Sequence, residues 1–410
     1  MRSLRKFVSV LAIVLIAATT PAQDRFTFET QLRTPFARTA SGGSLEPQLF
    51  FTPSARLYVL TAIDGGKQTG LAVFVSDDLG ATFSRQISIP TEGDVMTHGE
   101  MSPVIGYDPT AAQIYVAWQS GRELLFSHGS PFGKSLSAPL AINKTLTSSS
   151  AGYVTIGVAP DGRVAVAWLD GSDKDNKRGT TSVYVTTSTD QGATFDTPRR
   201  IGSNACPCCR PSMAFDENGN AYVAWRDVFE RNERDFVVAR GDAKTFAFTQ
   251  PTRISEDGWQ IDGCPDSGAT LTWLDGRLYA AWFTLGRTGD PQLRFASSDG
   301  TGAFSKPLIL SHGIDDANHP RFVWGARVPT LVFEGERPLP NHAFGPAQLF
   351  VATIPSGGRM QVQPVAKVTS DGFYGYAAGM PNAETLVVAA AVSVKGKPQI
   401  VIARARTRRP

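Results

Sequence analysis

One short apolar segment recurs along almost the whole chain, and this repetition constrains the fold more than any other feature. Each copy alternates apolar and β-branched residues, which is the pattern of a β-strand. The copies are RLYVLTA (56–62), QIYVAWQ (113–119), RVAVAWL (163–169), NAYVAWR (220–226), RLYAAWF (277–283), RVPTLVF (327–333) and TLVVAAA (385–391). Four of them carry a tryptophan, at intervals of 50, 57 and 57 residues: Trp118, Trp168, Trp225 and Trp282. A period of this size predicts an array of one all-β unit, which is most simply a single β-propeller with one central channel.

Each unit except the last contains signals for four antiparallel strands, separated by turns rich in Gly, Asp and Pro. We place seven blades at about 47–90, 101–145, 153–203, 211–256, 268–312, 319–367 and 374–406. Six blades are the alternative, if the first and last units merge. The last unit lacks a fourth strand, and the segment 25–33 has no unit of its own. We therefore expect this N-terminal strand to pair with the last blade and close the ring, which removes exposed sheet edges.

The composition fits one large domain without an affinity for nucleic acid. Of the 410 residues, 42% are apolar and 19% are charged, and the net charge is +3. This content is enough for an extensive core. A basic stripe interleaved with aromatic residues, the usual mark of a nucleic-acid-binding surface, does not occur.

The N-terminus has the pattern of a secretory signal peptide. Basic residues precede an apolar run at 7–18, and small residues follow at 20–22. The run is too short to span a bilayer as a stable anchor, and no later segment is a candidate membrane span. We expect a signal peptide at 1–22 and a propeller domain at 23–410. The mature protein is then exported, periplasmic or extracellular, where disulfides form.

Two turns between predicted strands are nearly identical and fit the pattern S-x-D-x-G-x-T-F. They are SDDLGATF (76–83) and STDQGATF (188–195), and SSDGTGAF (297–304) is a looser third copy with Asp299. In such a turn the carboxylate of Asp78 or Asp190 accepts hydrogen bonds from its own loop. Gly80 and Gly192 supply a positive φ without strain.

These turns resemble the Asp-box, or BNR, repeat of the sialidase superfamily. The resemblance implies a propeller with structural turns at its outer rim, away from the channel. It also implies an arginine clamp for a substrate carboxylate, a Tyr/Glu nucleophile pair and an Asp acid/base. The arginine string R-I/L-P of sialidases is absent, since QLRTPFART, with Arg33 and Arg38, departs from it. The positions left as catalytic candidates are Arg210, Arg321, Asp266 and Tyr374, the last beside Tyr376.

All four cysteines and two histidines occupy one position in the repeat, just before the first strand of a unit. The segments are THGEMSP (97–103), ACPCCRPS (205–212), DGCPDSG (262–268) and ANHPRF (317–322). In a propeller the loops that lead into the first strands surround one mouth of the channel. We therefore expect these side chains to converge there: Cys206, Cys208, Cys209, Cys264, His98 and His319.

Two interpretations of this cluster stay open. One is a disulfide from the CPCC segment to Cys264, which would join neighbouring units in an exported protein. The other is a copper or zinc site, because thiolate and imidazole ligands suit both metals.

Charged residues beside the same loops are candidates for ligand binding. They are Glu100, Arg210, Arg226, Asp266 and Arg321. Our leading hypothesis is an exported sialidase-like propeller that binds a ligand, such as a carbohydrate or a transition metal, at this mouth. The alternatives are a sialidase-like glycoside hydrolase acting on an anionic sugar, and a protein-interaction platform with a disulfide-stapled rim.

Overall fold

The structure is a computed structural model that describes residues 25–29, 32–33, 45–64, 68–91, 93–146, 151–338, 345–355, 359–370, 373–394 and 397–407. The predicted signal peptide at 1–22 and Arg38 lie outside the described residues. Within these ranges, no helix has the length and apolar character needed to cross a bilayer.

The described residues form 29 β-strands, numbered here in chain order. The N-terminal strands are β1 (Phe26–Phe28) and β2 (Leu32–Arg33). The first unit contains β3 (Gln48–Phe51), β4 (Leu57–Asp64), β5 (Thr69–Ser76) and β6 (Arg85–Ile89). The second contains β7 (Val104–Asp108), β8 (Gln113–Ser120), β9 (Glu123–Gly129) and β10 (Leu140–Ala141). The next strands are β11 (Ala151–Val158), β12 (Val164–Asp170), β13 (Thr181–Ser188) and β14 (Arg199–Ala205).

The second half of the chain repeats this order. Its strands begin with β15 (Ser212–Phe215), β16 (Ala221–Val228), β17 (Arg234–Gly241) and β18 (Thr252–Arg253). They continue with β19 (Thr270–Leu274), β20 (Arg277–Thr284), β21 (Gln292–Ser298) and β22 (Leu308–Ile309). Then come β23 (Asp315–Phe322), β24 (Thr330–Glu336), β25 (Ala347–Thr353) and β26 (Gln361–Ser370). The last are β27 (Phe373–Asn382), β28 (Thr385–Val394) and β29 (Lys397–Thr407). Short 3-10 turns lie at Gly99–Met101 and Glu230–Asn232.

Hydrogen bonds join these strands into six antiparallel sheets, of which five are single blades. Four of the five have four strands each, and the fifth combines β27–β29 with β1 and β2. The sixth sheet has eight strands, because β14 and β16 are joined through the residue pair Ala205 and Asp227. The all-β propeller of four-stranded antiparallel sheets is confirmed. The prediction of seven blades is wrong, and so is the alternative of six by merger of the first and last units. Among the described residues five sheets are single blades, and the strands β11–β18 of two central units form one continuous sheet.

The N-terminal strand closes the ring as the sequence predicts. Strand β1 pairs antiparallel with β29, with Phe26 opposite Thr407. The first and last sheets also share an apolar cluster, in which Val59 and Leu57 pack with Ile402. Closure therefore covers the outer edge of the last sheet and the faces of both sheets that it joins.

The recurring apolar strands form the buried centre of each unit. The tryptophans of β8, β12, β16 and β20 are at most 1% exposed. Strand β12 is buried along its whole length. Each blade is covered on both faces by its neighbours, so these strands are continuously apolar rather than alternating. Truncating one of the tryptophans to alanine would cost about 3–5 kcal/mol.

The two S-x-D-x-G-x-T-F turns have the local geometry that the sequence predicts. Asp78 Oδ1 accepts from the Thr82 N–H at 2.8 Å, and its Oδ2 accepts from the Thr82 hydroxyl at 2.7 Å. Asp190 and Thr194 form the same two bonds at 2.9 and 2.6 Å. The glycines have φ values of 87° at Gly80 and 86° at Gly192. Each turn is thus satisfied by its own residues, which fits a structural role.

Candidate functional site

Residues from several units converge at one end of the channel, as the repeat predicts. Arg210 contacts the Glu100 backbone, and Arg321 contacts the Glu100 side chain. His319 contacts the backbone of Asp266. These residues lie in the loops or first strands of different units, up to 221 positions apart in the chain. The fold therefore brings together four of the predicted site residues around Glu100.

Glu100 is the centre of this arrangement. Its side chain is 1% exposed, and Oε1 accepts a hydrogen bond from Arg321 Nη2 at 2.9 Å. The second oxygen, Oε2, is buried without a hydrogen-bond partner among the described residues. Burial opposes the charge, but the nearby cations of Arg321, Arg210 and His319 outweigh it and lower the pKa of Glu100. An ionised carboxylate with one free oxygen is thus held inside the channel.

The pKa of Asp266 is shifted in the opposite direction, upwards. Partial burial is the main cause that raises its pKa, and repulsion from Glu100 adds to it. The two residues are neighbours, since a Cβ added to Gly99 would lie 2.7 Å from Asp266 Oδ2. Two carboxyl groups with pKa values moved in opposite directions are the arrangement that acid–base catalysis uses.

His319 is fixed by both ring nitrogens. Nδ1 pairs with the Glu334 carboxylate, and Nε2 lies 2.8 Å from the Asp266 carbonyl oxygen. Burial is the largest single cause and opposes protonation, but the bond to Glu334 and the negative charges of Glu334 and Glu100 together outweigh it and raise the pKa of His319 to about 9. The Tyr376 hydroxyl donates to the His319 carbonyl oxygen at 2.5 Å. The imidazole is therefore a held cation near neutral pH, with no ring nitrogen free to act as a base.

Two of the predicted arginines, Arg210 and Arg226, hold the backbone in place by hydrogen bonds. Arg210 is 7% exposed and donates to the carbonyl oxygens of Glu100 and Ser102, so it ties two units together across the channel. Arg226 is 1% exposed and donates to the carbonyl oxygens of Ser267 and Phe283. Both guanidinium groups support the backbone of the site rather than lining its cavity.

A cavity of about 70 Å³ lies at this site. The residues around it are Glu46, Gln48, Gly99, Glu100, His319, Arg321, Glu334, Gly375 and Tyr376. This volume equals that of about two water molecules. It therefore suits one pendant group of a ligand, while the rest of the ligand would lie at the mouth.

Sequence reasoning missed Gln48 and Glu334 as parts of this cavity. Glu334 lies in strand β24, directly after the apolar residues 331–333. An acidic residue within a buried strand was the available signal. Tyr374 lies in β27, and its side chain is outside the part of the chain that the structure describes.

Three residues at this site have a left-handed backbone conformation, which also occurs at other positions along the chain. Glu46, Asp266 and His319 have φ values of 38°, 47° and 48°. A left-handed conformation of a non-glycine residue costs about 1–2 kcal/mol. Glu46 and His319 line the cavity and Asp266 lies beside it, so three residues at this site are kept where glycine would be less strained, an arrangement that also occurs at functional sites.

The four cysteines form a compact sulfur cluster beside this site. A disulfide joins Cys208 and Cys264, which confirms the predicted staple between neighbouring units. Cys206 and Cys209 are buried free thiols, and their sulfur atoms lie 3.6 Å apart. A hydrogen bond from the Cys209 thiol, together with nearby arginines, lowers the pKa of Cys206 to about 6. Burial raises the pKa of Cys209.

The structure separates the histidines from the sulfur cluster. In the described ranges, the sulfur atoms of Cys206, Cys208 and Cys209 lie within 4.8 Å of one another, and no histidine joins this group. His98 is exposed, and His319 is held as described above. Binding of copper or zinc by the thiols stays a prediction, and a third thiolate would first require reduction of the disulfide.

A larger cavity of about 580 Å³ lies at the rim instead. It is bounded by turn residues such as Asp216 and Asp299 and by the stacked rings of Tyr222 and Trp273. The carboxylates there accept hydrogen bonds from their own loops, as at Asp216 and Asn220. Because Asp216 and Asp299 are hydrogen-bonded within their own turns, we take the smaller channel cavity as the candidate functional site.

Comparisons with protein-family models and with curated proteins find no match for this chain. Solved structures are similar in fold. A protein of unknown function from Dyadobacter fermentans has a TM-score of 0.53 and 14% identity, over 94% of this chain and 100% of that one. A PL25 ulvan lyase has a TM-score of 0.55 and 13% identity, over 91% and 95%. The α-L-arabinofuranosidase Arb93A from Fusarium graminearum has a TM-score of 0.51 and 12% identity, over 93% and 98%.

At these identities the likeness establishes the fold alone. The β-propeller architecture of this chain is therefore one that carbohydrate-acting enzymes also use.

Proposed function

We propose that this propeller binds a carbohydrate at the channel mouth and cleaves a glycosidic bond there. The observation that carries the proposal is the buried, ionised carboxylate of Glu100, a residue that lines the channel cavity and lies next to Asp266, a second carboxyl group of raised pKa. Glycoside hydrolysis requires such a pair, one ionised and one protonated. Likeness in fold to an ulvan lyase and an arabinofuranosidase supports a sugar as the ligand.

In this proposal Asp266 donates a proton to the leaving oxygen, because its raised pKa keeps it protonated further towards neutral pH. Glu100 remains charged and acts as nucleophile or base. Arg321 keeps Glu100 ionised and also lines the cavity, where it can face an anionic group of the sugar. The sialidase-like version of the function adds that this group is a carboxylate.

A panel of three substrates tests the proposal. We would measure turnover of a fluorogenic sialoside and of 4-nitrophenyl α-L-arabinofuranoside, and binding and depolymerisation of ulvan. The matched variants are Asp266→Asn and Asp275→Asn, because both positions have positive φ, 47° and 49°, and asparagine tolerates this conformation. Asp275 is exposed in the turn between β19 and β20.

We expect Asp266→Asn to lower kcat by about 100-fold or more, the usual contribution of a general acid. Asp275→Asn should retain full activity. Turnover of the sialoside alone would support the sialidase-like version. Equal activity of the two variants would contradict the assignment of Asp266. Failure of all three sugars to bind would contradict the proposal and favour a protein-interaction platform.

A further inference from the structure

The sulfur cluster combines a disulfide with two thiols in contact with it. Cys206 Sγ lies 3.7 Å from Cys208 Sγ, which is bonded to Cys264. Cys209 Sγ lies 3.6 Å from Cys206 Sγ, and the sulfur atoms of Cys206, Cys208 and Cys209 all lie within 4.8 Å of one another. Both free thiols are therefore close to the buried end of the Cys208–Cys264 disulfide.

The four cysteines differ in exposure. Cys206 and Cys209 are 0% exposed and Cys208 is 4% exposed, whereas Cys264 is exposed. External thiols and alkylating reagents can therefore reach Cys264 but not the buried thiols. In the folded protein, the Cys208 sulfur atom can therefore be attacked only by a neighbouring buried thiol.

We propose that this cluster is an internal thiol–disulfide exchange site, in which Cys206 attacks the Cys208–Cys264 disulfide and releases Cys264 as a surface thiol. The Cys206 thiolate forms a bond with Cys208 Sγ, the Cys208–Cys264 bond breaks, and the Cys264 thiolate takes up the proton that Cys206 lost. Cys209 can then attack Cys206, giving a Cys206–Cys209 disulfide and a free Cys208. One disulfide is present throughout, so no external oxidant or reductant is needed.

The surroundings of Cys206 favour the first step. Arg234 Nη1 donates to Cys206 Sγ at 3.2 Å. Arg226 is buried nearby, where its guanidinium stacks on the ring of Phe236 at 4.1 Å. Because the thiolate is the attacking species, these cations promote exchange. The same positive charges disfavour a metal cation at this place.

Exchange would change the neighbouring site. Cys264 lies two residues before Asp266, and Cys209 directly precedes Arg210. Breaking the Cys208–Cys264 bond removes the covalent link between the loop that carries Asp266 and the loop that carries Arg210. The reactive product is a single exposed thiol, which is a site for modification by disulfides or alkylating agents in the exported compartment.

The test is alkylation of the oxidised, folded protein with N-ethylmaleimide in chelator-treated buffer, followed by peptide mapping. We expect time-dependent labelling of Cys264, together with peptides linked by Cys206–Cys208 or Cys206–Cys209. In Cys206→Ser, labelling of Cys264 should fall by roughly tenfold or more, because the attacking thiol is gone. In Cys209→Ser, the first step and the labelling should persist. Absence of labelling in the unaltered protein, or equal labelling in Cys206→Ser, would overturn the proposal.

A second pair of variants leaves all four cysteines in place. Arg234→Gln removes the cation beside Cys206, and Arg234→Lys keeps it. We expect Cys264 labelling at pH 7 to slow about twofold in the glutamine variant, since loss of an adjacent opposite charge moves a pKa by about one unit or more and so reduces the fraction of Cys206 present as thiolate. The lysine variant should restore most of the rate. Equal rates in both variants would show that Cys206 is not the attacking thiol.

Discussion

The rim turns and the channel mouth place carboxylates in very different settings. At the rim, Asp78 and Asp190 bond to residues four positions away and stay exposed to solvent. At the mouth, Glu100 is buried and is held by Arg210 and Arg321, which lie 110 and 221 positions away. One arrangement is complete within eight residues of sequence, and the other exists only after the ring has closed.

This difference distinguishes carboxylates that stabilise a turn from those that form the candidate functional site. A rim carboxylate such as Asp78 accepts hydrogen bonds on both oxygens from residues of its own turn. Glu100 keeps one oxygen without a partner, and its charge depends on cations from other units. Carboxylates therefore have different roles at the two places. At the rim their hydrogen-bond donors come from the same turn, and at the mouth their cationic partners come from other units.

The largest expected effect is at Glu100. Glu100→Gln removes the negative charge that balances Arg321 and Arg210, and breaking a buried ion pair in this way costs about 3 kcal/mol or more. Urea unfolding of the variant would measure the loss. The control is Glu123→Gln, at an exposed position of β9, which should change stability by less than about 0.5 kcal/mol. Equal stability of the two variants would show that the buried charge of Glu100 contributes no more to folding than a surface charge does.

A pH dependence of intermediate size is expected from His319. Its pKa in the folded protein, about 9, is above the ordinary value of 6.5. The stabilisation is therefore complete below about pH 6.5 and is lost as the pH rises through 9. We expect about 1–2 kcal/mol, because the exposed third of the side chain weakens the pair with Glu334. Unfolding at pH 6.5 and 9 measures it, and His319→Asn should remove that difference. If the change in unfolding free energy between pH 6.5 and 9 is the same in His319→Asn, another titrating group causes it.

The smallest effects are expected at the rim. Asp190→Ala removes the bonds to Thr194, and Asp78→Ala removes those to Thr82. Each change should cost about 1 kcal/mol and leave sugar turnover unchanged, because net hydrogen-bond contributions are of this size. Thermal unfolding and the substrate panel would check both. A loss of activity in either variant would mean that the rim takes part in function.

Hydrogen bonds from Thr194 lower the pKa of Asp190 to about 2. Its contribution is thus present above about pH 4 and disappears as the pH falls through 2. The mouth loses stability towards alkaline pH through His319, whereas the rim loses it towards acid. Stability profiles of Asp190→Ala and His319→Asn should differ on opposite sides of neutrality.

Local and periodic features could be predicted from the sequence. The apolar strands around Trp168 and Trp225, the pairing of β1 with β29 and the geometry of the Asp78 turn all depend on short patterns. The disulfide to Cys264 followed from the position of the cysteines in the repeat, although the choice of Cys208 did not. These features repeat or close within one unit, so few arrangements satisfy them.

The sequence could not predict which charged residues support the backbone and which line the cavity. Arg210 and Arg321 occupy similar positions in their units, yet one supports backbone carbonyls and the other lines the cavity. Glu334 entered the site from a second strand rather than from a loop. The bridge between Ala205 and Asp227, which merges two units, also depends on how closely neighbouring blades approach.

The sequence by itself determined the all-β repeat, the closure of the ring and the self-contained rim turns, because these depend on residues close together in the chain or on a fixed period. Only the tertiary structure decided which carboxylate is buried and charged, which histidine is held protonated and which thiols face the disulfide. Those properties depend on burial and on partners from distant units, and both are set by packing around the channel axis.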